Sequence, residues 1–398
     1  MKTLICSLAL VLGGHLFAGT TYFWYSLTNG AWSKFSDPAS WRTDDFGGSA
    51  NAGTYPGADD IISGKGGSGD FVPRHAIDLE GQSWTVKNVG SDMAGWGLRR
   101  YFDLTNGTLT ATEGFRLRYT DMRLWDGAKL VVPATANGKT NVFQLNDNHN
   151  GETTLRIDPN AELDAPCTLN FDGPNEITVS AGAVATLGSV FKQKNYGNHA
   201  LTSKIENEGT LNLPGGLVWD NDAEYQTTEL KQKAGTLRLG GPLTRNGRQG
   251  TFKFAFSGGA VEVTGGSVTF SGLDSATVAD GVEMPVSVVE GAGVSLSGVT
   301  LGAGASVVKS GLGALLIDAQ PGFAVSVTEG LVRIVVNNLE NPLLALANGA
   351  NSIAGGVQVS NGILRLDEPG AAEPQDRVVP APLVAALARP HRKPKQGR

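Results

Sequence analysis

Short runs of alternating apolar and polar residues recur along most of the chain, each opened by a glycine. The unit is Gly-x-[Leu/Val]-x-apolar. It stands at Gly107–Ala111, Gly127–Val132, Gly182–Leu187, Gly209–Leu213, Gly235–Leu239, Gly259–Val263, Gly266–Phe270, Gly330–Ile334 and Gly362–Leu366. Alternation with a period of two puts one set of side chains on a buried face and the other in water, so each unit predicts a half-buried strand. Spacings between successive units cluster in the twenties, a period that marks a solenoid. A β-sandwich also has short, regularly spaced strands, but it needs strand-pairing hairpins. Here the Asn-Gly and Asp-Gly pairs precede strands as single punctuation marks. The expected fold is all-β, a right-handed parallel β-helix. About eleven coils at ~4.8 Å would make a rod on the order of 50 Å long.

The densest stretch is Lys309–Ile334. It holds alternating runs at Ala314–Ile317, Phe323–Val327 and Leu331–Ile334, with a turn at Gln320-Pro321-Gly322. It reads as three strands of one rung. The longer segments near 133–158 and 187–206 are expected to leave the rod as loops. Asn337–Gly356 breaks the pattern, and Leu339–Ala347 suits a short helix with Pro342 near its first turn.

The two ends differ from the middle. Lys2, the apolar run Leu4–Leu12 and a small residue at Ala18 read as a signal peptide, residues 1–18, and so as export. Residues 19–100 are rich in aromatics, among them Trp32, Phe35, Trp41, Trp84 and Trp96, and are expected to cap the first rung. The repeat domain is then 101–366. Residues 367–398 form a Pro/Ala-rich, basic tail that reads as a solvated linker.

Composition agrees with punctuated strands. The chain of 398 residues carries 54 glycines, and these sit beside Val, Leu, Ile and Thr runs rather than in a three-residue collagen period. A net charge of −6 gives no basic stripe for a nucleic-acid partner. Once the signal is removed only Cys167 remains of the two cysteines, so no intrachain disulfide is expected. Beyond the signal, no apolar stretch reaches the ~20 residues of a membrane-spanning helix.

The run K-S-G-L-G-A-L-L-I followed by V-T-E-G-L-V-R-I resembles the autotransporter-associated β-strand repeat, through Lys309, Gly311, Gly313, Leu315, Ile317, Val327, Gly330, Leu331 and Ile334. It departs in the middle, where Gln320-Pro321-Gly322-Phe323 replaces the family's usual Gly-Asn-Thr-Tyr segment. The resemblance implies a secreted or surface-displayed passenger with a β-helical body. Family members typically continue into a C-terminal membrane barrel. The end of this chain lacks serial ten-residue alternating strands, so a separate export route or a shortened relative is expected.

Catalytic signatures are sparse. There is no Gly-x-Ser-x-Gly elbow. Gly138-Lys139-Thr140 imitates a P-loop ending, but Pro133 stands where its first glycine belongs. The histidines His15, His75, His149, His199 and His391 lack metal-ligand spacing. Neither a metal nor a cofactor is expected, and no catalysis. An enzyme reading would use Arg116, Arg118, Asp121, Arg123, Asp126 and Lys129 as a lyase or hydrolase cluster beside the polar loop Asn146–Asn150. The simpler reading makes them outward residues with cross-strand charge pairing. Asp44-Asp45 and Asp59-Asp60 are oxygen donors for calcium or, more simply, turn acids. Trp32, Trp41, Trp125 and Trp219 are candidate carbohydrate contacts, against a plain core role. The expected function is an exported bacterial surface or passenger protein, a structural or adhesive body with extracellular glycans or cell-surface components as partners. The alternative is a carbohydrate-binding or polysaccharide-degrading β-helix.

Overall fold

The computed structural model describes residues 20–24, 32–43, 53–63, 74–90, 100–117, 120–145, 152–171, 174–193, 201–221, 226–246, 250–270, 272–318, 324–327, 331–335, 357–359 and 363–367. They form a parallel β-solenoid. Each coil lays one strand on each of three walls. The first wall stacks Phe115–Leu117, Val142–Leu145, Thr168–Phe171, Val190–Gln193, Leu217–Asn221 and Leu243–Arg245, and a second short sheet, Ser267–Thr269 on Gly293–Ser295, takes this side in the next two coils. The second stacks Thr120–Leu124, Thr153–Ile157, Asn175–Val179, Leu201–Asn207, Gln226–Gln232, Thr251–Phe256, Ser275–Val278 and Val299–Leu301. The third runs from Ala128–Val131 through Glu162–Ala165, Val184–Leu187, Thr210–Leu213, Thr236–Leu239, Ala260–Val263 and Glu283–Val288 to Ser306–Ser310. Between Phe115 and Ser310 this makes eight complete three-strand coils.

Stacking in register turns each inward position into a column. On the third wall Leu109, Leu130, Leu163, Ala185, Leu211, Leu237, Val261 and Val286 succeed one another, all fully buried. On the first wall Phe115 and Phe143 stack with ring centroids 5.1 Å apart and planes 7° from parallel, followed by Leu169, Phe191 and Trp219. The second wall carries a polar inward column of Thr120, Thr153, Asn175, Ser203 and Thr228, at most 1% exposed. Parallel strands without hairpin turns draw their register from such like-on-like columns.

The Gly-x-Leu units from Gly107 to Val263 all lie on the third wall, so that repeat is the coil corner followed by its strand. Asn160 takes the glycine's place in the coil where the motif is missing. It has φ 63°, in register with Gly182 at φ 81°. Asparagine tolerates the left-handed region better than most residues.

Three expectations are corrected. Segments 133–158 and 187–206 supply wall strands, with Phe143, Leu145, Leu155, Ile157, Phe191 and Ile205 fully buried. Among the described residues of these segments, only the small hairpin Thr135–Thr140 is an antiparallel excursion. It turns at Asn137 (φ 50°) and Gly138 (φ 73°), the geometry of a two-residue type I′ hairpin, so the P-loop-like residues serve a turn. The Lys309–Ile334 stretch is not one rung. Ala314–Asp318 pairs with Leu331–Val335 on one wall, Leu315 against Val332 and Ile317 against Ile334. Ala324–Val327 pairs with Ser306–Ser310 on another. The alternations belong to successive, shorter coils, because parallel pairing joins equivalent strands of neighbouring turns.

At the N-terminal end the walls continue backward through Asn88–Gly90, Ile61–Ser63 and Thr21–Trp24, closed by antiparallel pairing with Trp41-Arg42. An aromatic cluster fills this end. Phe35 stacks on Trp84 at 4.5 Å and meets Trp41 edge-on at 5.0 Å. The indole N–H of Trp41 donates to Phe35 O at 2.8 Å, and that of Trp84 to Leu79 O at 2.9 Å. The cluster is consistent with a cap. The expected signal segment, Arg118, Asp44-Asp45, Asn146–Asn150, the helix expected at Leu339–Ala347 and the tail beyond 367 lie outside the described residues.

Candidate functional site

The four candidate tryptophans separate. Trp41 and Trp219 are fully buried, so neither ring has a face to offer a sugar. Trp41 belongs to the aromatic end cluster. Trp219 extends the first wall's aromatic column, with the Arg245 guanidinium 5.7 Å from its ring centroid. Trp32 is 43% exposed, and Trp125 meets it edge-on at 5.9 Å and 88°. The two exposed-side rings are therefore perpendicular, not coplanar.

Trp32 and Trp125 come together because their strands lie on one outer surface. Trp32 is in register with Ala76, which continues to Asp103 and Arg123 in the next two coils. Trp125 follows Arg123 two residues on, so both project outward. The Arg123 guanidinium covers the Trp125 ring at 3.6 Å, a cation–π contact. Its Nε donates to the Asp158 carboxylate, which also accepts from Arg156 Nε at 2.9 Å. Arg156 is the in-register neighbour of Arg123, and its side chain is 56% exposed. Asp158 is 6% exposed, and the two guanidiniums bracket it through charge-assisted hydrogen bonds. The arrangement offers the partly exposed Trp32 indole beside guanidinium and carboxylate groups, a surface suited to stacking and hydrogen bonding.

Sequence reasoning named Trp32, Trp125 and Arg123 but missed Arg156 and Asp158. The alternation Thr154, Arg156, Asp158 marks them as outward. Only the stacking of 153–157 on 120–124 brings them to Arg123. The other members of the proposed enzyme cluster spread around one coil. Arg116 projects from the first wall beside Gln144. Asp121 accepts from the Thr154 hydroxyl on the second. Lys129 pairs with Glu162 at 2.8 Å on the third. Asp126 accepts from Asn160 Nδ2 at 3.0 Å. Asp60 accepts from the backbone of Thr20 and Gly57 at 2.9 and 2.8 Å, the work of a turn acid. Burial pushes the Cys167 thiol up to about 12, so it is no nucleophile near neutral pH. Among the described residues no group of three or more His, Cys, Asp or Glu could hold a metal ion. Likewise no helix there is long and apolar enough to cross a membrane.

Comparison with protein families, with curated proteins and with solved structures found no match to this chain.

Proposed function

We propose that this chain is an exported bacterial β-helical body that serves as a spacer and adhesive surface, without catalysis. The observation that carries the reading is the uninterrupted, fully buried third-wall column from Leu109 to Val286, which holds successive coils in one continuous stack. The signal-like start and the repeat-like Lys309–Ile334 stretch support export and surface display. The test is expression of the full chain in a Gram-negative host, with fractionation and N-terminal sequencing. Processing near Ala18 and recovery outside the cytoplasm are expected. An uncleaved cytoplasmic product would overturn the reading.

A second reading, glycan binding, is favoured by the open Trp32 face beside Arg123, Arg156 and Asp158. A glycan array followed by tryptophan-fluorescence titration tests it. Trp32→Ala should weaken any binding at least about tenfold, in line with loss of one stacking contact. Unchanged affinity in that variant would remove the site.

A further inference from the structure

On the outer face of the second wall, charges reverse sign from coil to coil through the middle coils. One outward row reads Glu176, Lys204, Glu229, Lys253. The next reads Arg123, Arg156, Thr178, Glu206, Lys231, Ala255, Thr277, Thr300. Within one copy Lys231 lies 2.9 Å from Glu229 and 3.6 Å from Glu206, and Lys233 pairs with Glu206.

We propose that this wall is a self-docking surface and that its partner is a second copy of the chain, antiparallel to the first about a two-fold axis. The axis lies along the strand direction between Leu201–Asn207 and Gln226–Gln232. Such an axis reverses the order of the coils and keeps each row facing itself. Lys204 then meets Glu229 of the second copy, Glu206 meets Lys231, and Glu176 meets Lys253. The two-fold axis repeats each pair. The bulky ends fit as well, since Arg156 falls opposite Thr277 and Arg123 opposite Thr300, while Thr178 meets Ala255. No like charges face each other in these pairs.

The central pairs mirror contacts already made between neighbouring coils of one copy. The Glu176–Lys253 match does not, because these residues are three coils apart within a copy. Their opposition is what a self-complementary, isologous face requires. Eight rungs make a wall about 34 Å long and about 17 Å wide. Docking would bury roughly 1,200 Å² in total, the lower limit of a standard interface and so a salt-sensitive one. The inference deepens the adhesive reading by naming a copy of the chain as what it adheres to. It stands on the wall alone, so failure of the export test would leave it intact, and its own failure would leave export intact.

Sedimentation velocity on the purified full chain tests it. A concentration-dependent dimer is expected at about 0.05 M salt and a monomer at about 0.5 M. Two charge-neutral double variants separate docking from folding. Lys204→Glu with Glu229→Lys keeps every opposition across the axis but creates four like-charge neighbours within a copy, at 176/204, 229/253, 204/206 and 229/231, and its dimer affinity should stay within about threefold of wild type. Glu229→Lys with Lys253→Glu creates only two like-charge neighbours within a copy, Lys204 and Lys231 beside the new lysine. Across the axis it sets Lys204 against a second ammonium and Glu176 against a second carboxylate, so affinity should fall more than about tenfold. Circular dichroism confirms that both retain β structure. A monomer at low salt and high concentration overturns the proposal, as does dimerisation of the second variant at wild-type strength.

Discussion

Lys309 stands in register with Val286, inside the coil, at the place every earlier coil gives to an apolar side chain. It is fully buried, and its ammonium donates to the carbonyls of Ser310 and Gly311. A buried ammonium survives only where acceptors replace its water, and the tight corner at Gly311 supplies them. The lysine that carries the repeat resemblance is thus a corner-holding residue.

Removing Lys309 separates volume from charge. Lys309→Ala should destabilise by ~2–4 kcal/mol, through a cavity and carbonyls left without their donor. Lys309→Met keeps the volume and removes the charge, and should stay within ~1.5 kcal/mol of wild type. Urea denaturation of the two variants decides. Equal losses would mean that the ammonium, not its packing, holds the corner.

Corner glycines divide by what lies beside them. Gly235 has φ +63°, and a Cβ there would sit 1.9 Å from Gly209 O in the coil below. Gly281 has φ +67° with nothing within 4 Å. Gly235→Ala should cost more than ~3 kcal/mol, whereas Gly281→Ala should cost ~1 kcal/mol, the strain of a left-handed residue alone. Thermal melts of both variants check this.

The charged wall sets a pH window. Burial would raise the Glu206 carboxyl, but the Lys233 hydrogen bond and the charges of Lys233, Lys231 and Lys204 outweigh it and hold it below its ordinary value. Its folded value lies below its unfolded value of ~4.3, so its stabilisation is present above ~4.3 and is lost as pH falls through the folded value. Lys231 moves the other way. Its hydrogen bond to Glu229, opposed by burial and aided by the charges of Glu229 and Glu206, raises it. That contribution is present below ~10.4 and is lost as pH rises through the folded value. Both groups are partly exposed, so each is worth under ~1 kcal/mol after screening. Melting temperature should plateau between about pH 5 and pH 10, and Glu206→Gln should flatten the acid limb.

Cys167 reports on the integrity of its coil. In a Cys6→Ser background the native thiol, pushed up to about 12 by burial, should not react with Ellman's reagent at pH ~8. It should react at once in denaturant. Modification of the native chain at the unfolded rate would mean that the coil around Leu163–Leu169 opens freely.

Period-two alternation and its glycine punctuation were enough for strand content and the parallel stack, because local patterning is written residue by residue; that the glycine units share one wall came from the pairing of coils. Segments 133–158 and 187–206 read as loops because their strands stand on the first and second walls, which the glycine unit does not open, and because Asn160 replaces the glycine at the corner after Thr153–Ile157. Only stacking showed Phe143 and Phe191 to be core. The halves of Lys309–Ile334 looked like one rung because they are adjacent in sequence, yet parallel pairing placed Leu315 on Val332 of the next coil.

The site shows the same division. The sequence alone determined which side chains share a strand face, since that follows from parity along a strand. Which outward residues meet was decided by the tertiary structure. Arg123, Arg156 and Asp158 converge, Trp41 and Trp219 sink into the core, and Glu176 and Lys253 fall three coils apart in one outward row, because register between coils is a long-range property of buried columns. No local signal encodes it.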